Sequence, residues 1–229
     1  MINPVFRGIL LAIAFTSMLQ VAVLAVEEDV DSQGEVTFTV GVDKIERKLA
    51  KTIPEAQTDV MEYPNDPGRH FELAALYSRT NYLEEALKEV KTARNLILEQ
   101  DDPKYLRETI QAFEKLTKAK PGNSLGWYRL AMAYYLKAYA LDNPKYAGKL
   151  RENATDTAAS YYAKAQKTFN KVLTLNPHDI YARNYLGYML YKNQNKVPEG
   201  IKLWKESLAI ESKNNMGAYF LLANAYKNN

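Results

Sequence analysis

The chain has 229 residues, 47% apolar and 25% charged, ordinary proportions for a globular protein with a core of useful size. It has no cysteine and two histidines, His70 and His178, which excludes disulfides, thiolate zinc sites and cysteine nucleophiles and argues against a histidine-rich metal site. The net charge of +3 conceals an asymmetry: residues 26–66 carry 4 Lys+Arg against 11 Asp+Glu, a net −7, and the chain from Pro67 onward carries 25 against 16, a net +9.

The first element is a leader. Met1 to Arg7 holds a single positive charge, and the 19 residues from Gly8 to Val26 hold none. Such a run can just span a bilayer. Thr16, Ser17 and Gln20 make it a poor permanent anchor, and Val23-Leu24-Ala25 suits a processing site. The pattern predicts an export signal over residues 1–25, either cleaved after Ala25 or kept as a signal anchor. Both place the remainder outside the cytoplasmic membrane, periplasmic or secreted in one case and anchored in the inner membrane in the other.

Residues 26–63 form an acidic arm. Val36, Phe38 and Val40 alternate with Thr37 and Thr39, which predicts a short strand or extended stretch. Asp43 to Glu62 reads as a helix interrupted at Pro54. From residue 64 to 229 the periodicity is helical. Turn signals divide it at Pro64-Asn65-Asp66-Pro67, Pro121-Gly122-Asn123 and Asn176-Pro177-His178.

These helices come in similar pairs. Trp127, Leu130, Ala131 and Tyr134 open one pair, and Ala165, Phe169, Val172 and Pro177 close it. Leu186, Gly187, Gly200, Trp204 and Ser207 mark the next. Leu73, Ala74, Tyr77, Ala86 and Ala93 mark an earlier pair, with His70 at a packing position. Ala218, Leu221, Leu222 and Ala225 supply the first helix of a fourth. The pattern resembles the tetratricopeptide repeat, a helix–turn–helix of about 34 residues in which small residues admit close helix approach and large ones fill the gaps. The departures are Arg183, Leu190 and Ser212, where the repeat has tryptophan, tyrosine and proline. The resemblance implies an all-α solenoid over residues 64–229. The intervals Leu73–Leu130, Leu130–Leu186 and Leu186–Leu221 are 57, 56 and 35 residues, so two of the units carry inserted or extended helices. One insert is Lys104 to Lys118; the other falls within 138–160, with a break at Asn143-Pro144.

No catalytic motif is present: there is no HExxH, glycine-rich phosphate loop, G-x-S-x-G or S-x-x-K. Asp101-Asp102 and His178-Asp179 read as helix starts, and Asn153-Ala154-Thr155 is a formal glycosylation sequon. No metal or cofactor is expected. The resemblance implies a noncatalytic scaffold of the cell envelope that binds segments of other proteins in its concave groove. The inward residues would be Phe71, Tyr128, Met132, Tyr135, Asn184, Tyr188, Tyr191, Tyr219 and Tyr226. Asn184 and Lys192 resemble part of the family's carboxylate grip. A structural subunit of an envelope assembly, held by an uncleaved leader, is the alternative. Scattered Lys and Arg argue against nucleic acid, while a basic body suits an acidic partner or an anionic membrane surface. The last helix sets apolar residues around several sides, so Phe220 and Leu222 are expected on an uncovered face suited to self-association or a partner helix.

Overall fold

The computed structural model describes residue 45 and residues 50–100, 103–144 and 154–227. The expected leader, the alternating stretch at Val36–Val40, the Asp101-Asp102 pair and the Asn153 sequon position lie outside these residues. The described helices of the unit Arg47–Asn229 are α1 Ile53–Glu62, α2 Pro67–Tyr77, α3 Leu83–Gln100, α4 Pro103–Ala119, α5 Ser124–Leu141, α6 Ala158–Leu175, α7 Ile180–Asn193, α8 Val197–Ile210 and α9 Met216–Lys227. The fold is all-α. Among the described residues no helix is long and apolar enough to cross a membrane.

The turn signals act as helix caps. Asp66 accepts a hydrogen bond from the Gly68 backbone at 2.7 Å, Asn123 from Gly126 at 2.9 Å and Asp179 from Ala182 at 2.9 Å. Each satisfies a backbone N–H that the first helical turn leaves without a partner, worth about 1 kcal/mol. Thr157 does the same for α6 through Ser160 at 3.1 Å. Pro54 stands in the first turn of α1, behind the Thr52–Glu55 capping box. Its missing N–H costs nothing there.

Helix α5 is the centre of the fold. It packs against α3, α4, α6 and α7, and it is buried on nearly every side. The inserted helix α4 supplies one wall. Leu106, Ile110, Phe113 and Leu116, spaced four, three and three, form its buried stripe. Arg129 is buried within α5 beside the Glu72 carboxylate of α2 at 3.3 Å. Helix α5 ends at Leu141, just before the expected break at Asn143-Pro144.

The α7–α8 pair shows why its small residues are needed. A Cβ on Gly187 would stand 2.5 Å from Trp204 Nε1, and one on Gly200 would stand 2.7 Å from the Gly187 carbonyl. Trp204 is fully buried, and its indole N–H donates to the Asn184 carbonyl at 3.0 Å. The two glycines thus set the distance between the helices. Gly187→Ala and Gly200→Ala should each lower stability by about 1–3 kcal/mol through overpacking, read by chemical denaturation. Gly122→Ala, with nothing within 4 Å of its added carbon, should stay within about 0.5 kcal/mol of wild type.

Candidate functional site

The concave positions expected to bind a partner divide into two groups. Phe71, Tyr128, Met132, Tyr135 and Asn184 are buried, which corrects their assignment to an open groove. Tyr188 and Tyr191 are half-buried, and Lys192, Tyr219 and Tyr226 are exposed.

The burial has an identifiable cause. The end of α2 and the turn into α3 reach across to later helices. Tyr128 O–H donates to Ser78 Oγ at 2.7 Å, fifty positions away. Arg79 Nη1 donates to Asp179 Oδ2 at 3.0 Å, across a separation of 100 residues. The same guanidinium lies 4.8 Å from the centre of the Tyr128 ring and 5.4 Å from that of Tyr181. Leu83, at the start of α3, would stand 3.5 Å from a Cβ on Gly217 in α9. The first helix pair therefore covers Tyr128 of α5 and the start of α7 with its own side chains.

Behind this cover the tyrosines pack on one another. Tyr135 meets Tyr185 edge-on at 5.3 Å and stacks with Tyr139 at 5.9 Å; Tyr185 meets Tyr188 at 6.1 Å. Burial raises the hydroxyl pKa of Tyr135 and Tyr185 well above the ordinary value and that of Tyr188 to about 12, so these rings stay neutral at physiological pH. They form a core cluster rather than a nucleophilic or acidic site.

Asn184 is likewise committed elsewhere. Its Nδ2 donates to Asn215 Oδ1 at 2.7 Å, and Asn215 Nδ2 donates to Ser207 Oγ at 2.8 Å. Ser207 in turn donates to the Ile180 carbonyl at 3.3 Å. This buried chain fastens α7, α8 and the start of α9 together. Asn184 therefore does not present its amide for a carboxylate grip with Lys192.

Exposed large apolar side chains occur at Met61, Tyr63, Tyr82 and Ile210, and four more gather on α9. Gly217, Ala218, Leu221 and Ala225 are buried and form its inner face. The outer side carries Met216, Tyr219, Phe220 and Tyr226, with exposures of 56%, 46%, 36% and 59%. At 3.6 residues per turn these fall on one stripe. Phe220 is on it as expected, while Leu222 is half-buried at its edge. Met216 was not singled out from the sequence, although its spacing of three and four from Tyr219 and Phe220 is the signal that finds it. A cleft of about 340 Å³ also opens between the end of α5, α6 and the α7–α8 turn. Asp142, Tyr162, Asn193 and Lys196 are among its lining residues, and no histidine or serine is.

No family model matches the chain, and no curated protein matches it. Among solved structures, one titled "MamA RS-1 ArsTM double mutant" is similar over 81% of this chain and 99% of its own, at 12% identity and a TM-score of 0.35. Values this low do not establish a shared fold.

The Arg79 junction yields a stability prediction. Asp179 has a side-chain exposure of 1%, and removing its partner strands a buried carboxylate. Arg79→Ala should cost roughly 2–3 kcal/mol in chemical denaturation. Adding Asp179→Asn should cost less than the sum of the two single changes, because the stranded charge is gone. Strict additivity would show that the pair contributes nothing as a pair.

Proposed function

We propose that this chain is a noncatalytic protein-interaction scaffold of the tetratricopeptide-repeat type, and that it docks a helix on the outer face of α9. The observation that carries this reading is a register match between α7 and α9. Leu186 and Leu221 are 35 residues apart and occupy equivalent buried positions. On that register Asn184, Gly187 and Tyr191 correspond to Tyr219, Leu222 and Tyr226. The α7 residues are those that meet α8: the Asn184 carbonyl accepts from Trp204, Gly187 abuts Trp204 and Gly200, and the Tyr191 ring lies 5.4 Å from that of Trp204. Their α9 counterparts are exposed or half-buried. Helix α9 is thus the first helix of a repeat whose outer face has no second helix on it among the described residues. An amphipathic helix suits that place, lying further out than α8 does on α7 because Leu222 stands where α7 has Gly187. Two exposed tyrosines give such a surface large contact area with a polar tip.

Export by the leader at residues 1–25 rests on the sequence alone, and so does any attraction of the basic body for an acidic partner. Tyr188 and Tyr191 are half-buried and Lys192 is exposed, so these three remain as accessible positions on α7.

Tyr219→Glu with Tyr226→Glu tests the proposal. Both rings are more than two-fifths exposed, so helicity and denaturation midpoint should stay close to wild type, within about 0.5 kcal/mol per site. Association should be lost, whether seen as the mass by light scattering or as retention of partners from an envelope extract. If wild type is monomeric at high concentration and the double variant retains the same partners, α9 is a cap and this reading fails.

A further inference from the structure

His70 is buried in α2, and both of its ring nitrogens face acceptors. Nδ1 is 2.5 Å from Glu89 Oε2 of α3. Nε2 is 2.8 Å from the Pro64 carbonyl oxygen, in the connection between α1 and α2. A carbonyl and an ionised carboxylate can only accept, and a neutral imidazole has a single N–H. Both contacts are hydrogen bonds only when the His70–Glu89 pair holds one more proton than neutral histidine and ionised glutamate together. The pair without that proton, neutral histidine beside ionised glutamate, leaves one acceptor facing a lone pair in a site mostly shielded from water, which costs free energy.

The same connection also meets α3 through Gln100, whose Nε2 donates to the Asn65 carbonyl at 2.6 Å. Helix α1 has one buried residue, Ala56. Its other ties to α2 are polar: Gln57 to the Tyr77 hydroxyl at 2.7 Å, and Asp59 to Arg69 at 3.1 Å. Arg69 also lies against Asp66 at 3.5 Å. Surface ion pairs of this kind hold little on their own.

We propose that His70, Glu89 and the Pro64 carbonyl form a proton-dependent clasp that fastens the α1–α2 connection to α3 and loosens it when the proton is lost, leaving the Gln100–Asn65 bond. The charged groups acting on the ring are Glu89 from α3 and Asp66 at the start of α2, both negative. The hydrogen bond to Glu89 raises the imidazole pKa above its ordinary value, burial opposes it, and the Pro64 carbonyl and Asp66 add to the rise. A folded value above the unfolded one gives stabilisation that is complete below the unfolded value of about 6.5. It is lost as pH rises through the folded value. The clasp is therefore tight in acid and loose in mild alkali. It is independent of the α9 surface.

The chain has two histidines, and His178 is exposed, so an NMR titration of the full chain resolves two imidazole rings. The ring assigned to His70 should titrate above about 6.5 in wild type and fall markedly in Glu89→Gln. Exchange of the hydrogen-bonded Tyr63 and Asp66 amides should quicken at least tenfold across that titration, beyond the chemical dependence of exchange on pH, in wild type and not in Glu89→Gln. The proposal is overturned if His70 in wild type titrates at or below the ordinary value, or if exchange in the connection keeps the same protection on both sides. Both wild-type readings stand even if the variant does not fold.

Discussion

The Arg79–Asp179 ion pair joins residues 100 positions apart and ties the turn after α2 to the start of α7. Asp179 is committed twice: one oxygen caps α7 and the other meets Arg79. Arg79 is committed to the faces of Tyr128 and Tyr181 as well. A planar guanidinium serves such a junction better than an ammonium, because it can stack while it donates. Closing a loop of this length costs only slightly more entropy than closing one of half the length. A long-range pair can therefore hold where packing on both sides is already favourable.

That junction moves the accessible surface. A solenoid of helix pairs ordinarily offers the inner faces of its first helices to a ligand. Here Ser78, Arg79 and Leu83 lie against those faces. Tyr128 consequently packs as core, and Tyr135 and Tyr185 pack on each other, with Phe169 against Tyr185. At the other end, the Asn184–Asn215–Ser207 chain fixes how α9 meets α7 and α8. A buried hydrogen-bonded chain of this kind restricts how the helices it joins can sit. It holds the α9 stripe in a fixed orientation, on a rigid element.

Local features were legible in the sequence. Asp66, Asn123 and Asp179 cap helices where turn signals stood, and Lys104–Lys118 lies inside α4. The need for small residues at Gly187 and Gly200 could also be read, since their spacing matched a repeat in which helices touch. What could not be read is what covers a face. The period of 3.6 tells that Tyr128 and Met132 share a side, not whether water or Arg79 lies on it. No local pattern pairs Arg79 with Asp179. Asn184 could be read as a ligand-binding amide because Asn215, its partner, lies 31 residues further on. Pro54 shows the same limit in miniature: a proline reads as a break or as a first turn depending on where the cap is, and Thr52–Glu55 decides it.

The central claim is that the aromatic surface available to a partner lies on α9 rather than in the concave groove. Hydroxyl-radical footprinting of the full chain, read residue by residue by mass spectrometry, tests this without knowledge of any partner. The account predicts strong labelling of Met216, Tyr219 and Tyr226 in dilute solution, with Tyr128, Met132, Tyr135 and Tyr185 protected. Labelling of the latter four at the level of the α9 residues would show an open groove and contradict it.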